Sequence, residues 1–253
     1  LHLEEFAAGT SPLHHMDPRI KIACAVVFSC VMALADRWPV LWTGLATGAV
    51  LVLLARLPTR LVVIRLAMVN TFIVFLWVFL PFSHPGEAVF RLGPLTATRE
   101  GLDYALAITV KSNAIILAVM ALLGTSTLSA LIHALRHFKV PDKLVHLFFF
   151  TFRYFQVIHQ EYLRLRAAMR VRCFQAKTTL HTYRSLGYLV GMVLVRSFDR
   201  SDRVHQAMVC RGYDGRFWVL DHFHLHDRDL VFLAVMMAVN LFLAVAQWTN
   251  LLL

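Results

Sequence analysis

Five stretches of this chain, roughly residues 20–36, 39–56, 61–82, 103–123 and 229–253, are apolar for about the length of a hydrocarbon layer. Runs of that length strongly constrain the fold. Inside a bilayer no water satisfies a free backbone N–H or C=O, so each run must close its own hydrogen bonds as a helix. Composition agrees: 58% of the 253 residues are hydrophobic and only 16% are charged, with a mean hydropathy of +0.63. That is too little charge to cover a soluble surface of this size. The sequence therefore predicts an all-α integral membrane protein with about five transmembrane helices.

The net charge of +10 then has to be read by position. Arg19 and Lys21 precede the first run and are expected to anchor it, and Arg56, Arg60 and Arg65 surround the turn after the second. Most of the remaining basic residues lie between 125 and 228. Placing all three groups on the cytoplasmic side gives a cytoplasmic N-terminus, an external C-terminus and an external Gly- and Pro-containing loop over 83–102. A nucleic-acid binder could share this basicity but would not carry such apolar runs. Cys24, Cys30, Cys173 and Cys210 lack metal-type spacing and are expected to be free thiols. The first twenty residues contain no apolar stretch of signal-peptide kind.

Within the runs, Gly44 and Gly48 form a small-x-x-x-small pair suited to close helix packing. The third run carries Phe72, Phe75, Trp77, Phe79 and Phe82, a stripe for lipid or a neighbouring helix. Lys111 and Asn113 interrupt the fourth; Lys111 reads as a snorkelling lysine, with no acidic neighbour on its own helix face nearer than Asp103.

The region 125–228 is helical in period, with Leu128, Leu131, Ile132 and Leu135 on one face. Val140-Pro141-Asp142 opens a new helix there. Residues 178–198 hold Gly187 and Gly191 at a spacing for close contact and are expected to form a helix buried at the cytoplasmic surface, because the uncharged part is too short to span. The organisation is thus 1–124, an N-terminal membrane domain of four spans; 125–228, a cytoplasmic helical domain; and 229–253, a last span.

One pattern occurs twice in that middle region. Ala168-Met169-Arg170-Val171-Arg172-Cys173-Phe174 and Ala207-Met208-Val209-Cys210-Arg211-Gly212-Tyr213 align without a gap as Ala-Met-x-x-Arg-small-aromatic, and Arg164 and Arg203 match upstream. Each copy reads as a helix presenting its C-terminal end. Gly212 suits a left-handed cap after Arg211. Cys173 takes that conformation at a cost, so the two ends are expected to differ. An Arg at a helix end already sits well with the negative pole of the dipole, which explains one such residue without a partner. Two with the same neighbours suggest two equivalent docking points.

The segments from Thr151-Phe152-Arg153-Tyr154 to Phe174 and from Arg196-Ser197-Phe198 to Gly215 resemble the transmembrane T component of energy-coupling factor (ECF) transporters, in particular the cobalt/nickel-type Q subunit of the CbiQ family. The string Ser11-Pro12-Leu13-His14-His15-Met16-Asp17-Pro18-Arg19-Ile20-Lys21 is similar to the start of T components in general. The resemblance implies a cytoplasmic helical coupling domain with two coupling helices, each ending in an Ala-Arg-Gly signature whose Arg enters a groove on one of two ATP-binding-cassette ATPase subunits. By position these are Arg172 and Arg211, supported by Ala168, Met169 and Cys173 in the first copy and Ala207, Met208 and Gly212 in the second. The first copy departs from the pattern with Val171 and Cys173, the second with Cys210. The resemblance further implies a membrane-embedded substrate-binding (S) subunit as partner, ATP and magnesium on the partner subunits with no cofactor on this chain, and residence in a bacterial or archaeal plasma membrane. It implies transport of a divalent metal ion, cobalt or nickel. A vitamin-type T component is the alternative within the class; Phe152-Arg153-Tyr154 and Arg211-Gly212-Tyr213-Asp214-Gly215 favour the metal type.

Thirteen histidines raise a different class, a His-dependent membrane metalloenzyme. His133 and His137 are spaced i, i+4, and His222, His224 and His226 alternate beside Asp221 and Asp227; imidazole suits zinc, nickel and cobalt. The His-x-x-x-His pair lacks the adjoining Glu of a zinc peptidase. The expectation is no metal site on this chain. The sequence also has no phosphate-binding Gly-x-x-x-x-Gly-Lys string and no nucleophile elbow, so a non-catalytic subunit is expected, with ATP hydrolysis supplied in trans.

Overall fold

The computed structural model describes residues 9, 11–83, 88–92, 95–138, 140–214 and 226–249. The chain divides into two compact units, one of residues 1–139 with 223–253 and one of residues 140–222. Apart from one short hairpin the described architecture is all helical.

The first unit begins with α1 (Pro18–Leu34), α2 (Trp38–Ala55) and α3 (Thr59–Ser83). Asp17 accepts a bond from the Arg19 N–H, and Pro18 occupies the first turn, where its missing N–H leaves no bond unmade. The polar Asp36-Arg37 turn ends α1 early. The expected span 20–36 is therefore a 17-residue helix, at the short limit for crossing. Among the described residues four other helices are long and apolar enough to cross a membrane: Trp38–Ala55, Thr59–Phe82, Arg99–Leu122 and Asp227–Trp248. They match the other four expected spans.

The loop expected over 83–102 is partly ordered as a hairpin. Strands β1 (Ala88–Leu92) and β2 (Leu95–Thr98) pair antiparallel with Leu92 opposite Leu95; residues 84–87 lie outside the described residues. Thr98 then starts α4 (Arg99–Leu122), accepting from the Gly101 N–H and donating to the Pro81 carbonyl of α3. After α4 come α5 (Leu128–His137) and, beyond the second unit, α8 (Asp227–Trp248).

Helices α1, α2, α4 and α8 enclose one core, in which Cys24, Phe28, Met32, Val40, Leu41, Ala118 and Ala121 are buried. The glycine pair works as its spacing predicts. A Cβ at Gly44 would overlap the Met32 thioether, and one at Gly48 would sit 3.0 Å from the Ala114 carbonyl oxygen, so α2 lies close against α1 and α4. Helix α3 packs on α4, joined by reciprocal amide bonds between Asn70 and Asn113 (3.2 and 3.1 Å) and by Trp77 Nε1 donating to Thr109 Oγ1 at 3.0 Å. The rest of its aromatic stripe, including Phe72, Phe75 and Phe79, is exposed.

Two lysines differ from expectation. Lys111 does not snorkel alone: its Nζ lies 2.8 Å from Asp36 Oδ1, a partner on the α1–α2 turn that no pattern within α4 reveals. The same turn is tied to the end of α8, because the Asp36 and Arg37 N–H groups donate to Gln247 Oε1 and Arg37 Nη1 donates to the Thr249 carbonyl. Lys21 does not anchor the first span outward. It is fully buried, donating to Ser126 Oγ at 2.8 Å and Thr125 Oγ1 at 3.3 Å, since position 21 falls on the face of α1 that packs against α5 and α8.

The second unit is a pair of long helices, α6 (Asp142–Val171) and α7 (Leu180–Val209), each of 30 residues and about 45 Å long at 1.5 Å per residue. Asp142 in the first turn of α6 complements the dipole, and Thr179 caps α7 by accepting from the Thr182 N–H. Residues 178–198, expected to be a buried helix, instead form most of α7, and most of its side chains are exposed; Thr182 and Leu189 alone are buried within it. A straight helix with one neighbour buries one line of side chains, which leaves Tyr188, Leu194 and Phe198 open. The Gly187–Gly191 pair makes no close approach, since a Cβ at either would meet nothing within 4 Å.

Candidate coupling site

Both copies of the repeated pattern fall at the C-terminal ends of the two long helices, and their backbones close in the same way. At the end of α6 the Phe174 N–H donates to the Met169 carbonyl (3.1 Å) and the Cys173 N–H to the Arg170 carbonyl (3.0 Å). At the end of α7 the Tyr213 N–H donates to the Met208 carbonyl and the Gly212 N–H to the Val209 carbonyl, each at 3.0 Å. This nested pair of bonds is the Schellman ending, which satisfies helix carbonyls that would otherwise lack donors. It requires a left-handed residue after the Arg, and φ is 57° at Cys173 and 83° at Gly212.

The two ends therefore do not differ in backbone, contrary to the expectation drawn from Cys173. The closing hydrogen bonds and the exposed position of Cys173 let the larger residue take the strained angle, at a cost of about 1–2 kcal/mol. The pattern Met-x-x-Arg-small-aromatic now has a local meaning. Met supplies the carbonyl that the aromatic residue's N–H closes on, the small residue turns the chain, and Arg is carried at the tip.

Exposure repeats as well. Ala168, Arg172 and Cys173 are exposed while Met169 and Phe174 are half-buried; Ala207, Arg211 and Gly212 are exposed while Met208 and Tyr213 are half-buried. Neither the Arg172 nor the Arg211 guanidinium has a hydrogen-bond or ion-pair partner among the described residues. Three other cations of the unit are committed. Arg196 bonds Glu161 across the helix pair, Arg164 lies 3.5 Å from the same carboxylate, and Arg184 Nε donates to the Tyr188 hydroxyl. The bond from Arg196 holds the Glu161 carboxyl below its ordinary range, so it stays ionised between the arginines. Glu161 thus holds the two helices in register, and Asp202 lines the groove described next.

Two recesses adjoin these ends. A groove of about 850 Å³ between α6 and α7 runs from Leu147, Phe150 and Leu189 to Arg200, Asp202 and Met208. A smaller recess of about 450 Å³ beside the first end is bordered by Met169, Arg172, Phe174, Lys177 and His181. Among the described residues no three His, Cys, Asp or Glu side chains converge as a metal would require. His133 and His137 share α5; His222 and His224 lie outside the described residues.

Sequence reasoning missed the Asp36–Lys111 pair, the buried Lys21 and the Glu161–Arg196 link. Only Lys21 left a trace, as a lysine four residues after Asp17 at the head of an apolar run.

Membrane-spanning helices joined in one chain to a polar helix pair with two matched arginine-bearing ends define a multi-pass membrane subunit. The chain belongs to the cobalt transport protein family CbiQ, whose model matches residues 9–219, and so to the transmembrane components of ECF transporters. It is similar to an uncharacterized protein of Methanocaldococcus jannaschii, 21% identical over 218 residues spanning 84% of this chain and 81% of that one. It is also similar to the energy-coupling factor transporter transmembrane protein EcfT of Heliobacterium modesticaldum, 26% identical with 84% of each chain covered. The cobalt transport protein CbiQ of Rhodobacter capsulatus is 26% identical over 145 residues, 56% of this chain and 59% of that one.

Proposed function

We propose that this chain is the non-catalytic membrane scaffold of an ECF-type importer for a divalent metal ion, cobalt or nickel. Its partners in this reading are two ATP-binding-cassette ATPase subunits, which hold the ATP and magnesium, and a membrane-embedded substrate-binding subunit, with no cofactor on this chain. The observation that carries the proposal is the pair of equivalent helix ends, each presenting an exposed arginine, Arg172 and Arg211, with no side-chain partner among the described residues, on the same Schellman turn. Ala168, Met169 and Cys173, with Ala207, Met208 and Gly212, build those turns.

The mechanism is mechanical. ATP binding draws the ATPase subunits together, the grooves holding the two arginines approach, and α6 and α7 shift. The shift tilts the substrate-binding subunit so that its ion is released inward; the exposed aromatic stripe of α3 is the surface we assign to that subunit. An arginine fork bonded to carboxylates or carbonyls transmits force better than an apolar contact that slides, because its donors are directional and charge-assisted. A 30-residue helix is a stiff lever, and the Glu161–Arg196 bond ties one lever to the other. The region 125–228 acts in this reading as the coupling domain.

The test is affinity purification of the chain in detergent from its own host, with ATPase activity assayed for wild type and Arg172→Glu/Arg211→Glu. Two ATPase subunits and a small membrane protein should accompany the wild type, and the ATPases should be lost from the double variant. Wild-type recovery from the double variant would refute the docking role. A second reading, a T component serving vitamins or other substrates, is favoured by the EcfT relative, which matches more of the chain than the cobalt protein does. Uptake of ⁵⁷Co²⁺ or ⁶³Ni²⁺ by the purified complex separates the two.

A further inference from the structure

Helix α3 packs chiefly on α4, and little of its apolar length is buried. Lipid tails are as apolar as a neighbouring helix, so apolar packing alone does not choose which face of such a helix turns inward. Hydrogen-bonding groups do, because one turned to hydrocarbon goes unsatisfied. From Leu66 to Pro81 the side chains that carry such groups are Asn70, Thr71 and Trp77. Thr71 is neutral in the choice, since its hydroxyl donates to the Ala67 carbonyl of its own helix at 2.8 Å. Asn70 exchanges two bonds with Asn113 of α4, at 3.2 and 3.1 Å, and Trp77 Nε1 donates to Thr109 Oγ1 at 3.0 Å. Both α4 partners are oriented by their own helix, Asn113 Nδ2 donating to the Thr109 carbonyl and Thr109 Oγ1 to the Ala105 carbonyl. At about 100° per residue, Phe72, Phe75 and Phe79 lie roughly 140–200° around α3 from Asn70. Turning Asn70 onto α4 is thus what turns these three rings away from it, and all three are exposed.

We infer that Asn70 and Asn113 are positioning residues for partner capture: their reciprocal amide pair, with the Trp77 bond beside it, sets the rotation of α3 and so the aromatic face offered to the substrate-binding subunit. This rests on the importer reading above, in which that face is assigned. Stability alone does not call for the amides, since leucine at both places leaves neither partner unpaired. What they add is one rotation where an all-apolar seam packs in several.

The experiment compares wild type, Asn70→Leu, Asn70→Leu/Asn113→Leu, and that pair with Trp77→Phe added. Rotation is read on the full chain in detergent as the distance between spin labels at Val74→Cys and Val235→Cys, exposed sites on α3 and α8, with the exposed Cys30, Cys173 and Cys210 replaced by Ser. Capture is read as the small membrane protein recovered per ATPase subunit when the chain with its native cysteines is purified from its host. Asn70→Leu leaves Asn113 short of a partner and should melt below wild type. The triple variant should melt close to wild type, yet its label distances should spread at least about twofold wider and its capture fall at least about fivefold with the ATPases retained. A purely structural amide pair predicts restored capture along with restored stability. An unchanged distance distribution, or unchanged capture, in the triple variant would overturn the inference. If the triple variant does not fold, Asn70→Leu/Asn113→Leu decides, with an expected loss of capture of about twofold; wild-type capture there would overturn the inference as well. A wild-type chain that recovers neither ATPases nor a membrane partner would defeat the importer reading instead, and the label distances would still decide whether the amide pair sets α3.

Discussion

Substitutions of opposite sign at the two helix ends, Gly212→Ala and Cys173→Gly, test whether the left-handed residue is what holds each arginine in place. Residue 212 sits at φ 83°, and a Cβ there meets nothing within 4 Å. Alanine therefore brings backbone strain of about 1–2 kcal/mol and no clash, offset by about 0.4–1 kcal/mol of lost unfolded-chain freedom, a net cost of about 0.5–1 kcal/mol. Cys173 already bears that strain at φ 57°. Glycine relieves it but adds freedom to the unfolded chain worth about 0.4–1 kcal/mol, leaving a net gain of about 0.5–1 kcal/mol. Since a 1 kcal/mol change alters a local opening equilibrium about fivefold, amide exchange in the full chain resolves both effects. The Tyr213 amide should exchange about two- to fivefold faster in Gly212→Ala, and the Phe174 amide about two- to fivefold slower in Cys173→Gly. Shifts of the same sign in the two variants, or none in either, would refute the equivalence of the ends.

In the membrane unit, Gly48→Val should lower the detergent melting temperature, at a cost of about 1–3 kcal/mol, because even a Cβ meets the Ala114 carbonyl at 3.0 Å and Leu117 Cβ at 3.2 Å. Gly187→Ala, in open space on α7, should raise helix stability by up to about 1 kcal/mol, and a lowered melting temperature would contradict its exposure. Glu161 supplies a pH signature. Its carboxyl is held below the ordinary value of 4.5, chiefly by the Arg196 hydrogen bond. Its stabilising effect is thus fully present above that value and lost as pH falls through the lowered one. Protection between α6 and α7 should weaken below about pH 4 in wild type, and Glu161→Gln should remove that dependence.

The spans were legible because apolar length is a local property, and the Gly44–Gly48 contact because small-residue spacing acts through one helix face. The signature arginines were legible as a repeat, and their geometry follows from a turn whose hydrogen bonds lie within six residues. What escaped was non-local. Lys111 meets Asp36 and Lys21 meets Ser126 because separate helices place them there, which no pattern along α4 or α1 encodes. Cys173 misled for another reason: the penalty for a left-handed residue was visible, whereas the two closing bonds that outweigh it were not. The Gly187–Gly191 spacing shows the converse, a packing motif with no second helix against it. The short pairing of β1 with β2 was hidden in a loop whose composition reads as turn.

The Asp36–Lys111 pair sets a height as well as a bond. Lys111 is midway along the 24-residue α4, yet it meets the turn between the 17-residue α1 and the 18-residue α2. On one flank the greasy wall is thus about 26 Å tall, and beside α3 and α4 it rises to about 36 Å. A bilayer of uniform thickness, about 30 Å, fits neither. Lipid must thin next to the short helices and thicken or tilt next to the long ones, so acyl-chain length becomes a control on how this subunit leans.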